Sequence, residues 1–121
     1  PPTYPNSMKQ QLIKDLDYPN FTLYQLGDDE FMKRFEDGVP IYREKKELIN
    51  KYDLVHFDGP HKTIDVIKEV IFFGERSHAG TVFVFDDYPQ FDMDTVLKII
   101  VNQYGFMLLK QGKNKISLKR N

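Results

Sequence analysis

The sequence predicts an α/β protein in which a mainly parallel sheet is flanked by helices and closed by an antiparallel hairpin. Two apolar runs have the length and residue types of buried strands: Leu54–Phe57 and Thr81–Phe85. A segment of helical periodicity, Lys62–Phe73, lies between them and predicts a βαβ unit. Each run stops at aspartate, the first at Asp58 and the second at Asp86. Ligands bind outside the carboxyl ends of parallel strands, so we expect a functional site there.

Composition limits the classes of protein to which this chain can belong. The chain has 121 residues, enough for one domain with a modest core. Its 40% hydrophobic and 29% charged residues are typical of a folded globular protein. A net charge of -1 predicts neither a nucleic-acid nor a membrane partner. The absence of cysteine excludes thiolate chemistry and fits a cytoplasmic location, and the polar, proline-rich start does not resemble a signal peptide.

The first third of the chain predicts a helix, a strand and a short second helix. Residues Met8–Leu16 have amphipathic spacing, and Phe21–Leu26 alternates like a strand. The short helix is expected at Glu30–Phe35, where Asp28 or Asp29 is in position to cap it.

The charged middle of the chain predicts a loop and a surface helix. The loop is expected at Gly38–Pro40 and the helix at Arg43–Lys51. Leu48 and Ile49 are expected to be the inward residues of that helix.

The second half predicts two amphipathic helices, each ended by glycine. The first, Lys62–Phe73, is expected to end at Gly74. The second, Met93–Tyr104, has Asp92 or Asp94 as its cap. The inward residues are expected to be Ile64, Ile67, Val70 and Ile71 in the first helix, and Val96, Leu97, Ile100 and Val101 in the second, which ends at Gly105.

The remaining apolar segments predict the central strand and one edge of the sheet. Thr81–Phe85 is apolar or β-branched throughout, which is typical of a central parallel strand buried on both faces. Phe106–Lys110 and Lys115–Lys119 are separated by a short polar turn, so we expect an antiparallel hairpin.

The candidate site consists of Asp58, Asp86 and Asp87 at the ends of the two central strands. Three converging carboxylates suit a hard cation such as Mg²⁺, which prefers oxygen ligands. The alternative is that these residues make turns, where aspartate bonds its own backbone. His61 is either a general base for an acceptor hydroxyl or a helix residue bonded to a nearby carboxylate. We expect His56 in the core, and no partner for His78 is visible in the sequence.

These elements in this order resemble the second half of class I S-adenosylmethionine-dependent methyltransferases, whose fold is Rossmann-like. The resemblance rests on a strand ending in Asp58-Gly-x-His61, a helix, Ala-Gly, and a strand ending in Asp86-Asp87-Tyr. It is greatest to metal-assisted O-methyltransferases and the related cephalosporin hydroxylase-like proteins. The resemblance implies S-adenosylmethionine as cofactor and a small hydroxylated acceptor. It also implies a divalent cation, with Mg²⁺ favoured, held by Asp58, Asp86 and Asp87.

The resemblance also implies cofactor contacts. Gly27–Asp29 resembles the acidic loop that meets the adenine, so Asp28, Asp29 and Asp58 are the implied cofactor-binding residues. Capping of the following helix is the alternative role of the first two.

The chain departs from the family at its start. The first strand, the glycine-rich cofactor loop and the acidic end of the second strand are expected before Ser7, and no G-x-G-x-x-G occurs in the 121 residues. The chain therefore resembles the C-terminal part of such an enzyme, a single truncated domain. The strand order is expected to be 3-4-5-7-6 in the family's labels. The Phe21–Leu26 strand is expected beside Leu54–Phe57, or a second chain pairs with that exposed edge to form a homodimer.

Two alternatives to a methyltransferase remain open. One is a non-catalytic remnant or interaction module, which the missing glycine loop favours. The other is a metal-dependent enzyme of different chemistry on a related fold, such as a hydrolase or a hydroxylase-like protein, which the acidic triplet favours.

Overall fold

A computed structural model describes residues 11, 24, 26–42, 46–59 and 62–121. The chain divides into two compact units, Pro1–Leu48 and Ile49–Asn121. Among the described helices, none has the length and apolar character needed to cross a bilayer. The predicted Met8–Leu16 helix lies outside the described residues, apart from Gln11, which is helical.

The first unit begins its described structure with helix α1, Asp28–Arg34. Its N-cap is Gly27, which makes no side-chain capping bond, so the prediction that Asp28 or Asp29 caps the helix is wrong. Both aspartates instead lie in the first turn, where negative charge favours the helix dipole. At the other end Arg34 pairs with Glu30 at 2.7 Å.

Aromatic rings pack beside this helix. Tyr24 lies 4.7 Å from Phe35 between ring centroids, and Phe31 lies 4.9 Å from Phe35. The Tyr24 hydroxyl donates to the Pro40 carbonyl at 3.3 Å. Tyr24 and Leu26 are the two described residues of the predicted Phe21–Leu26 strand, and neither is in a strand.

The charged middle of the chain forms strands, which corrects two predictions. Strand β1 is Val39–Tyr42 and β2 is Lys46–Ile49, and they pair in a two-stranded sheet. The predicted loop at Gly38–Pro40 and the predicted helix at Arg43–Lys51 are therefore wrong where they overlap these strands. Along β2 the exposed Leu48 stands between two half-buried neighbours, the alternation of a strand. Pairing with β1 outweighs the helical propensity of a charged segment.

The second unit contains a four-stranded sheet. Its strands are β3 (Leu54–Phe57), β4 (Val82–Asp86), β5 (Phe106–Gln111) and β6 (Lys115–Arg120), in the order β3-β4-β6-β5. This order matches the predicted order for these four strands, and the C-terminal hairpin is confirmed. The sheet is mixed, however, because only β3 and β4 are parallel while β6 is antiparallel to both neighbours. The prediction of a mainly parallel sheet is wrong for the described strands, because the hairpin contributes two antiparallel pairs and no described residue of the predicted Phe21–Leu26 strand is in a strand.

Two helices flank the sheet, α2 (Thr63–Glu75) and α3 (Met93–Tyr104). The cap of α3 is Asp92, whose carboxylate accepts from the backbone N–H of Thr95 at 3.3 Å and its hydroxyl at 2.7 Å. Gly105 ends α3 in the left-handed region with φ 72°. Both ends of this helix agree with the sequence prediction.

The core lies between the helices and one face of the sheet. Its buried members come from both helices and all four strands of this sheet: Phe57, Val66, Val70, Phe83, Phe85, Met93, Val96, Ile100, Phe106, Ile116 and Leu118. The predicted inward stripe of α2 is partly wrong, because Ile64 is 60% exposed and Ile71 is 37% exposed. In α3, Val101 is also exposed, whereas Val96 and Ile100 are buried as predicted.

Gly74 does not end α2. The helix continues to Glu75, and Gly74 is buried within its last turn against the ring of Tyr104. The prediction of a terminating glycine is therefore wrong, because this residue serves the packing of α2 on α3.

Candidate metal centre

The structure brings Asp58, Asp86 and Asp87 together. Each offers a carboxylate oxygen, and the three oxygens lie within 4.8 Å of one another. The cause is the parallel register of β3 and β4, in which Phe57 is the partner of Phe85. The next residue along each strand therefore arrives at the same edge of the sheet.

The backbone turns sharply within this cluster. The backbone N–H of Asp87 donates to Oδ1 of Asp86 at 3.0 Å. Asp87 has φ 53° and ψ 35°, and it is the only non-glycine residue with positive φ among those described. Such a conformation costs of order 1–3 kcal/mol, and aspartate tolerates it better than most residues. The chain then enters a short 3₁₀ turn, Tyr88–Gln90.

Tyr88 fixes this turn to the hairpin. Its hydroxyl donates to the Gly112 carbonyl at 2.7 Å and accepts from the Gln111 side chain at 3.2 Å. Its backbone N–H donates to the Asn114 carbonyl at 3.3 Å. These contacts hold the segment after Asp87 in place and give Tyr88 a structural role.

A basic residue adjoins the acidic cluster. Lys115, the first residue of β6, is the partner of Asp86 in the antiparallel register of β4 and β6. Asp58 is exposed, while Asp86 and Asp87 are half-buried. The cluster is therefore open to water.

The spacing of the three oxygens can be compared with the spacing of ligands around a divalent cation. Two oxygens on one ion are separated by at most about 4.2 Å for Mg²⁺ and about 4.8 Å for Ca²⁺, given metal–oxygen distances of roughly 2.1 and 2.4 Å. Only two ligands on opposite sides of an ion reach this span, and the three oxygens are at most 4.8 Å apart, so small side-chain movements would bring all three onto one cation.

The other predicted site residues have different outcomes. His61 lies outside the described residues. Asp28 and Asp29 lie in the first turn of α1, in the first unit, and Oδ2 of Asp28 is buried without a hydrogen-bond partner among the residues described. The structure thus brings together the three proposed metal ligands.

Two histidines differ from the sequence prediction. His56 is exposed rather than in the core, because β3 alternates and its Phe57 takes the buried face. His78 has a partner, since its Nε2 lies 2.6 Å from Oδ1 of Asp53. No sequence signal identifies this pair, because the two residues are brought together by the turn that precedes β4.

No family model matches the chain, and no curated protein or solved structure is significantly similar to it. The methyltransferase resemblance therefore depends on the ordered motifs.

Proposed function

We propose that this chain is a methyltransferase-like domain that binds a divalent cation and transfers a methyl group from S-adenosylmethionine to a small hydroxylated acceptor. The convergence of Asp58, Asp86 and Asp87 within 4.8 Å supports this proposal most directly. The strand order β3-β4-β6-β5 also supports it, because this is the order expected for the last four strands of the Rossmann-like family fold.

Each residue has a role in the proposal. In this proposal Asp58, Asp86 and Asp87 would hold the cation, and Asp58 would also contact the cofactor. A bound divalent cation supplies Lewis acidity, which favours the deprotonated form of an acceptor hydroxyl. His61 accepts the proton from that hydroxyl as a general base.

Calorimetric titration with S-adenosylhomocysteine in the presence of Mg²⁺ tests the cofactor part of the proposal. We expect the chain extended upstream through its natural coding sequence to bind the ligand, and Asp58→Asn in that extended chain to bind it more weakly. Asp94→Asn is the matched control, since Asp94 is an exposed residue in the first turn of α3 and outside the cluster.

The same experiment separates the alternatives. Cation binding without S-adenosylhomocysteine binding would overturn the methyltransferase proposal and favour a metal-dependent enzyme of another chemistry on a related fold. Binding of neither would leave a non-catalytic module whose aspartates make turns.

A further inference from the structure

Both ring nitrogens of His78 face hydrogen-bond acceptors. Nε2 lies 2.6 Å from Oδ1 of Asp53, and Nδ1 lies 2.8 Å from the carbonyl oxygen of Ala79. A neutral imidazole carries one N–H and therefore donates to only one of these oxygens. The doubly protonated ring donates to both, so the surroundings of His78 match its charged form.

This contact lies where the amino ends of β3 and β4 meet. Close by, the backbone N–H of Val82 donates to the Asp53 carbonyl at 2.9 Å. The buried Thr81 hydroxyl donates to the Tyr52 carbonyl at 2.7 Å and accepts from the His78 backbone N–H at 2.9 Å. Of these contacts, the ring of His78 makes the one that depends on a group titrating near neutral pH.

The surroundings of the ring shift the pKa of His78 in opposite directions. The hydrogen bond that the ring donates to Asp53 raises the pKa of His78, and the Ala79 carbonyl and the charge of Asp53 add to this effect. Partial burial of the ring and the charge of Lys51 lower the pKa by less. Lys51 and Asp53 both belong to the segment that leads into β3.

Two arginines on neighbouring elements are directed at other groups. Nη1 of Arg120, at the end of β6, donates to the Ser77 carbonyl at 2.8 Å and to its hydroxyl at 2.6 Å. Nη1 of Arg76 donates to the Phe72 carbonyl at 2.9 Å. Asp53 is therefore the acidic partner of His78, and Lys51 is the opposing charge.

We propose that His78 and Asp53 form a proton-dependent clasp that joins the amino ends of β3 and β4, strongest when the imidazole is charged and weakened when it loses its proton. The raised pKa of His78 determines the direction in which the stabilisation by the clasp changes with pH. Its stabilisation is fully present below the unfolded-state pKa of about 6.5 and is lost as pH rises through the folded-state pKa. Because β3 has a strand neighbour on one side only among the described residues, weakening of the clasp loosens β3 at its amino end.

This clasp is separate from the candidate metal centre. Asp53 precedes β3, whereas Asp58 follows it. The inference therefore does not depend on the proposed methyltransferase function.

An NMR titration of the His78 ring in the whole chain tests the clasp. We expect a pKa above 6.5 in the natural chain. Asp53→Asn keeps an acceptor oxygen but removes the charge, so the pKa falls. Lys51→Gln is the matched variant, because removing the opposing charge shifts the pKa upward. An unchanged His78 pKa in Asp53→Asn would overturn the proposal.

Hydrogen exchange at the Val82 amide measures the opening itself, because this amide donates to the Asp53 carbonyl. At pH 5.5 we expect a lower protection factor in Asp53→Asn than in the natural chain. The difference disappears above the folded-state pKa of His78. Equal protection at pH 5.5 would show that the pair does not hold the strands.

Discussion

A methyl group added at Gly74 would lie 2.5 Å from Cε2 of Tyr104 and 2.7 Å from two further atoms of the same ring. Gly74 is buried in the last turn of α2, and Tyr104 is the last residue of α3. The missing side chain therefore lets the two helices approach each other at their carboxyl ends. Carbon atoms at such a distance overlap, so any larger residue must displace the tyrosine ring.

We expect Gly74→Ala to destabilise the protein. Overpacking costs roughly 1–3 kcal/mol, and the higher helix propensity of alanine returns at most about 1 kcal/mol. Urea denaturation measures the difference. The double variant Gly74→Ala/Tyr104→Leu removes the clashing ring, so the two changes are expected to be non-additive. Additive effects would contradict a clash with Tyr104.

Substitution of Phe85 tests the contribution of aromatic packing to the stability of the core. Its ring is fully buried and stacks on Phe57 with centroids 4.4 Å apart and planes 6° apart. Phe85→Ala is expected to lower the free energy of unfolding by about 3–5 kcal/mol. Met107→Ala is the control, since Met107 is 56% exposed on β5, and we expect a change within about 0.5 kcal/mol. Similar losses in both variants would place the core elsewhere.

Asp92 gives a pH-dependent prediction. Hydrogen bonds from the Thr95 hydroxyl and backbone N–H lower the pKa of the Asp92 carboxyl. A lowered pKa contributes stability above the unfolded-state value of about 3.9, and this contribution is lost as pH falls through the folded-state pKa. Asp92→Ala is therefore expected to lower the Tm at pH 7, and by less as the pH approaches that folded-state pKa. Asp94→Ala, in the first turn but without capping bonds, is expected to have a smaller effect. A larger effect of Asp94→Ala would contradict the observed cap.

The sequence predicts elements best where short-range chemistry determines them. The bounds of Met93–Tyr104 agree with the structure because Asp92 supplies a side-chain cap and Gly105 adopts the left-handed conformation that ends the helix. The C-terminal hairpin follows from two apolar segments around a short polar turn. The convergence of the aspartates follows from the parallel register of the strands that they end.

Tertiary contacts decided the features that the sequence did not predict. The segment Ile64–Ile67 carries apolar side chains on more than one face of α2. The spacing alone therefore does not show that Val66 is buried and Ile64 is exposed. Gly74 has the sequence context of a terminator, but contact with Tyr104 explains it. Strand β2 depends on pairing with β1, which no local pattern in a charged segment reveals.

The central claim concerns the carboxylates at the ends of β3 and β4. Asp86→Asn separates a metal site from a turn, because asparagine keeps an oxygen that accepts the 3.0 Å hydrogen bond from the Asp87 N–H but loses the charge. A cation that binds only the folded chain stabilises it by about 2.7 kcal/mol at a concentration one hundred times its Kd. The natural chain is therefore expected to gain thermal stability with added Mg²⁺ or Ca²⁺, and Asp86→Asn to gain less.

The most direct test is calorimetric titration of Mg²⁺ and of Ca²⁺ into the natural chain, Asp86→Asn and the control Asp94→Asn. We predict one cation per chain for the natural protein and the control. For Asp86→Asn we predict at least about tenfold weaker binding, equivalent to roughly 1.4 kcal/mol, with the fold retained. Absence of binding to the natural chain, or equal affinity in Asp86→Asn, would contradict the metal site and leave the three aspartates as turn residues.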